Sequence, residues 1–247
     1  MIPGAEPPGV AVLLPGTAST ADLVRRVFEP ALAPLGLRVL APDPPREGDP
    51  VAAYHQFIDN CRNGRTGAVR VVGGVSLGAH VAAAWAAGQV ADRGAAGLAG
   101  LDGLLLALPA WTGVPDPAAV AAAAAGAARI RAGGIPAELA RLPDHWVTEE
   151  LALAWSGYTA GQLAAVLERA ATVPAPTPAE LATVGCPVGI AAFRDDPLHP
   201  YPVAERWAAA FPRAALAGLD LADGAVRARL GHAAVGAWRR AVASARR

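Results

Sequence analysis

The sequence contains no lysine: all 21 cationic side chains are arginine, balanced by 21 carboxylates for a formal net charge of zero. A chain without net basic charge lacks the electrostatic footprint of a nucleic-acid or anionic-membrane binder, so neither partner is expected. The arginine bias, with heavy Ala, Gly and Pro usage, reads as the habit of a GC-rich bacterial genome rather than as chemistry. Cysteine is nearly absent. Cys61 and Cys186 have neither metal-ligand spacing nor the pattern of a disulfide framework, which fits a reducing cytoplasm. No basic segment followed by an apolar one opens the chain, as a signal peptide would. Leu101–Ala110 is too short to span a bilayer, and Arg70 and His80 interrupt the other long apolar run. The expectation is a soluble, cytosolic protein of 247 residues, one domain with room for an insertion.

Serine is scarce too, at Ser19, Ser76, Ser156 and Ser244 only. One of these stands in a distinctive place. Val69-Arg70-Val71-Val72-Gly73 is a β-branched run that leads into Gly74-x-Ser76-x-Gly78, and an alanine-rich helical segment follows from His80. By chance, about one chain in twenty of this composition would flank a serine with glycines in this way, so the pentapeptide alone is only suggestive. Strand, sharp turn and helix together are what a nucleophile elbow requires. The glycines remove Cβ atoms that would clash at the turn, and the helix aims its N–H groups at a developing oxyanion.

The rest of the chain alternates strand and helix. Val10–Leu14 reads as a buried strand ending at Pro15-Gly16-Thr17. A helix capped by Ser19 or Thr20 follows, reaching Leu35 and stopped by Gly36. Leu37–Ala41 is a second strand, Asp49-Pro50 opens a helix to about Asn63, and Leu101–Leu108 is the fourth strand after the elbow strand. This spacing implies right-handed crossovers and a mostly parallel sheet of about six strands with helices on both faces. Residues 1–111 form its first part and residues 184–247 its second. Residues 112–183 contain no convincing strand and read as a helical lid over the carboxyl ends of the strands. Strands at Val188–Phe193 and Ala214–Leu219 flank a helix at Tyr201–Ala210, and an amphipathic helix ends the chain.

A serine hydroxyl needs a base to take its proton and an acid to orient that base. Of the five histidines, His55 precedes the elbow, His80 lies one turn into its helix and His145 sits in the lid. His199 is three residues from Asp196 on one loop, which makes it a poor facing base. His232 follows the last strand, behind a glycine that permits a tight turn. His232 is therefore the expected base. For the acid, Asp196 is favoured over Asp195 because Pro197 fixes the exit of its loop, with Asp116 a weaker third choice.

The order Ser76, Asp196, His232, with G-x-S-x-G between strand and helix, resembles the α/β-hydrolase superfamily over nearly the whole chain. Asp196-Pro-Leu-His-Pro resembles that family's acid loop and Gly231-His232 its histidine loop. Leu13-Leu14-Pro15-Gly16-Thr17 occupies the place of its oxyanion loop, with Pro15 where the family usually has histidine. The resemblance implies that the backbone N–H groups of Leu77 and Thr17 hold the oxyanion. It also implies hydrolysis of a carboxylic ester or lactone on a small acyl substrate. A thioesterase acting on an acyl-carrier partner would use the same triad, and a non-hydrolytic ligand-binding member of the fold is the reading from another class. Trp111, Trp146, Trp155 and Tyr158 of the lid segment are candidate walls of an acyl pocket. No metal is expected, because no His, Cys or carboxylate cluster has ligand spacing. No cofactor is expected either, since Gly73-Gly74 and Gly133-Gly134 do not make a phosphate loop.

Overall fold

The computed structural model describes residues 9–64, 67–142, 145–221 and 228–244. The irregular lead-in expected at the N-terminus lies almost wholly outside them. Six strands form one parallel sheet: β1 (Gly9–Leu14), β2 (Leu37–Leu40), β3 (Val69–Val75), β4 (Gly103–Ala107), β5 (Val188–Phe193) and β6 (Ala214–Leu219), in the order β2-β1-β3-β4-β5-β6. The continuous apolar runs of the inner strands follow from burial on both faces. β4 (Gly-Leu-Leu-Leu-Ala) and β5 (Val-Gly-Ile-Ala-Ala-Phe) are buried at every position.

Helices α1 (Ala21–Leu32) and α9 (Ala228–Ser244) pack together on one face, while α2 (Pro50–Asn63), α3 (Leu77–Arg93) and α8 (Tyr201–Ala210) belong to the other. Helix starts follow local chemistry. Thr20 accepts from the Leu23 N–H at the head of α1, and Asp49 from the Val51 N–H ahead of Pro50. The reach to Leu35 divides into α1 and a 3₁₀ turn at Ala33–Leu35, where Pro34 forbids continued α-helical bonding and Gly36 closes with φ 71°. The fourth strand is shorter than expected: it begins at Gly103 and ends at Ala107, where Leu108 leaves the extended region with φ 56°.

Between β4 and β5 the chain is helical: α4 (Pro117–Leu139), α5 (Trp146–Trp155), α6 (Ala160–Ala171) and α7 (Pro178–Thr183). The expected break at Gly133-Gly134 is a kink, with Gly134 at φ 83° and helix resuming behind it. Ile130, Trp155, Leu163, Ala164 and Val166 form an apolar cluster of their own, which Ala18 of the core enters. Ion pairs tie these helices down. Arg131 meets Glu168 at 2.6 Å between α4 and α6, and Arg26 of α1 meets the buried Glu150 of α5 at 2.5 Å. No helix among the described residues is long and apolar enough to cross a membrane.

Strand order decides where a site can form. From β1 the chain steps to β2 on one side, then crosses back to β3 on the other. Loops leaving β1 and β3 therefore diverge and open a crevice at their carboxyl ends. Gly16-Thr17 and Ser76 sit at that switch point.

Candidate active site

Ser76 lies between β3 and α3 with φ 53° and ψ −118°, a conformation that strains an L-residue by about 1–3 kcal/mol. Its neighbours hold it there. The Ser76 N–H donates to the Ala107 carbonyl at 2.9 Å, and its own carbonyl accepts from the Ala79 and His80 N–H groups at 2.9 and 3.1 Å. The flanking glycines are there for close approach. A Cβ on Gly74 would lie 2.5 Å from the carbonyl carbon of Gly78, and one on Gly78 would lie 2.2 Å from the Leu14 carbonyl oxygen. Side chains at either position would push the turn off the end of β1.

His199 Nε2 stands 3.0 Å from Ser76 Oγ, and His199 Nδ1 stands 2.8 Å from Asp196 Oδ2. With the Nδ1 proton donated to the carboxylate, Nε2 is left to accept the serine proton. The loop folds back through the other carboxylate oxygen. Asp196 Oδ1 accepts from the backbone N–H groups of Leu198 and His199 at 2.8 and 3.2 Å, an Asx turn that Pro197 favours. Burial works against ionisation of Asp196. The hydrogen bond and charge of His199, with the two backbone donors, outweigh it and hold the carboxyl below its ordinary range.

His232, the expected base, is not at this site. It lies inside α9, exposed, with Nδ1 2.8 Å from the Ala228 carbonyl of its own helix. Gly231 serves packing instead of a turn, since a Cβ there would lie 2.0 Å from the Val27 carbonyl of α1. The base is His199, which the sequence presents as a poor facing base because it shares a loop with Asp196. The Asx turn is the reason that sharing is possible, and Asp-Pro ahead of His-Pro was the signal for it. The other carboxylates are engaged elsewhere: Asp195 accepts from the Leu221 N–H at 2.6 Å, and Asp116 caps α4.

Thr17 and Leu77 line one narrow cleft with Ala18, Tyr54, Val166 and Arg169, beside a wall of Pro44, Pro45 and Pro50. None of the four aromatic residues expected to wall a pocket lines it. Trp111 packs edge-on against His80 at 4.9 Å and donates to the Val173 carbonyl, and Trp146 packs against Phe193 at 6.5 Å. Trp155 is buried in the cluster of the helical insertion, and Tyr158 lies under the Arg46 guanidinium at 4.9 Å. Among the described residues no group of three or more His, Cys, Asp or Glu is placed to hold a metal ion.

His80 is buried beside this centre, its Nε2 accepting from the Ala110 N–H at 2.9 Å. Burial, with the neighbouring His199, lowers its pKa to about 3. The unfolded chain therefore takes up this proton first, and the stability it represents is present above about pH 6.5 and falls as the pH drops toward 3. The contribution reaches about 1.4 kcal/mol per pH unit within that window. Urea unfolding at pH 6.5 and 5 should show His80→Gln losing less stability on acidification than wild type. Equal losses would contradict the assignment.

No protein-family model and no curated protein matches the sequence. Solved structures do match in three dimensions. A thermophilic esterase from Thermogutta terrifontis superposes with a TM-score of 0.64 at 22% identity, over 88% of this chain and 83% of that one. A bromoperoxidase from Bacillus anthracis gives 0.68 at 16% identity, over 96% and 93%. MenH from S. aureus gives 0.61 at 16% identity, over 88% and 87%. Identities this low speak to architecture alone. With its six-stranded parallel sheet, flanking helices and strained serine after β3, the chain has the α/β-hydrolase fold.

Proposed function

We propose that this protein is a serine hydrolase that cleaves a carboxylic ester through an acyl-enzyme. The observation that carries the reading is the hydrogen-bonded line from Ser76 Oγ through His199 to Asp196, at 3.0 and 2.8 Å. A strained serine beside an imidazole that is itself held by a partly buried carboxylate is the arrangement that makes a hydroxyl nucleophilic. Ser76 attacks the carbonyl as its proton passes to His199 Nε2. Asp196 keeps the ring in the productive tautomer and stabilises the imidazolium. The Leu77 and Thr17 N–H groups hold the oxyanion, each donor contributing about 3–4 kcal/mol in comparable sites. His199 then returns the proton to the leaving alcohol. Water takes the place of the alcohol and attacks the acyl carbon as His199 takes its proton; the Ser76 Oγ–acyl bond then breaks, His199 returns that proton to Oγ, and the acid product leaves.

The esterase among the proteins of similar structure is consistent with this reading. The test is a parallel assay of aryl esters, lactones and acyl thioesters, read before the steady state. An ester should give a burst of alcohol release close to one equivalent per chain, absent in Ser76→Ala. Turnover of lactones or thioesters alone would move the substrate class, and turnover unaffected by Ser76→Ala would overturn the reading.

A further inference from the structure

Resting on the hydrolase reading, we propose that the substrate carries a carboxylate, held by Arg169 in the cleft beside Thr17 and Leu77. The cleft is otherwise neutral. Its walls are proline, alanine, valine and leucine, with Thr17 and the Tyr54 phenol, and Arg169 is the only charged side chain lining it among the described residues. Tyr54 stays neutral: burial first, then the charges of Tyr158 and Asp43, raises its pKa far above the ordinary value, and its hydroxyl donates to the Pro15 carbonyl at 3.1 Å.

Arg169 projects from α6, and its guanidinium donates to the Gly48 carbonyl on the loop across the cleft. A carbonyl takes one of five N–H donors and neutralises no charge, whereas the neighbouring Glu168 is engaged by Arg131. Asp43 acts on Tyr54 through its charge but does not line the cleft, and one of its oxygens accepts from the Ala21 N–H. A half-exposed guanidinium at the mouth of an otherwise neutral cleft favours a planar anion, which it binds through paired N–H donors. The wall opposite is stiffened by Pro44, Pro45 and Pro50, so opening of the narrow cleft to an anion falls to the Arg169 side chain.

The cation shares its cleft with Thr17 and Leu77, so the carboxylate and the scissile carbonyl belong to one small molecule. A half-ester of a short dicarboxylic acid has this chemistry. The experiment compares the 4-nitrophenyl half-ester of glutarate with its methyl-capped, neutral counterpart of the same length. Wild type should prefer the anionic ester by about 10–100-fold in kcat/KM, the range of a charge-assisted hydrogen-bonded pair. Arg169→Gln should erase that preference, bringing kcat/KM for the two esters within about threefold of each other. Equal rates on the two esters in wild type, or a preference kept in Arg169→Gln, would overturn the proposal and leave the hydrolase reading standing. A binding arm separates the two claims. Glutarate should raise the melting temperature of wild type and of Ser76→Ala, and of Arg169→Gln far less. Absence of that shift in wild type overturns the anionic site whether or not esters are turned over.

Discussion

His199→Ala should lower kcat on any accepted ester by about 10⁶-fold, the scale of removing the base or the nucleophile from comparable triads. His232→Ala should stay within about twofold of wild type, as an exposed substitution away from the chemistry does. The contrast follows from position. His199 Nε2 is 3.0 Å from the serine hydroxyl, whereas the His232 ring bonds a carbonyl of its own helix. His199 is half-buried on a loop whose turn is held by the Asp196 carboxylate, so its truncation should leave the fold intact, as circular dichroism would report. Loss of activity in His232→Ala, with His199→Ala unimpaired, would return the base to α9.

Asp196→Asn should lower kcat by about 10⁴-fold with KM little changed, because the amide presents a donor where the imidazole N–H needs an acceptor and so favours the wrong tautomer. The substitution is a clean one. An asparagine oxygen still accepts from the Leu198 and His199 N–H groups, so the Asx turn survives and the charge effect is isolated. Asp195→Asn should cost less than tenfold, since its carboxylate bonds the backbone at Leu221 and not the histidine. Steady-state kinetics on the two variants decide between the neighbouring carboxylates, and the reverse order would place the acid at Asp195.

The parts of this site readable from sequence are those fixed by local chemistry. Gly74, Ser76 and Gly78 between a valine run and a helix specify the elbow, because that turn tolerates no side chain at its flanks. The inner strands β4 and β5 read as unbroken apolar runs, and the caps at Thr20 and Asp49 mark their helices. What escaped was long-range. A glycine ahead of His232 looks the same in sequence whether it turns a loop or lets α9 approach α1, and only the Val27 contact distinguishes the two. The His199 ring reaches Ser76 across 123 residues because an Asx turn folds Asp-Pro-Leu-His back on itself. Aromatic residues announced burial in the helical insertion without saying which of its surfaces meets the cleft.

If His199 makes Ser76 a nucleophile, the rate and position of labelling by a fluorophosphonate report it. Peptide mass spectrometry should find one adduct, on the peptide carrying Ser76. Its rate of formation should collapse in His199→Ala and remain unchanged in His232→Ala. An adduct on Ser19, Ser156 or Ser244, or a rate indifferent to His199, would contradict the account.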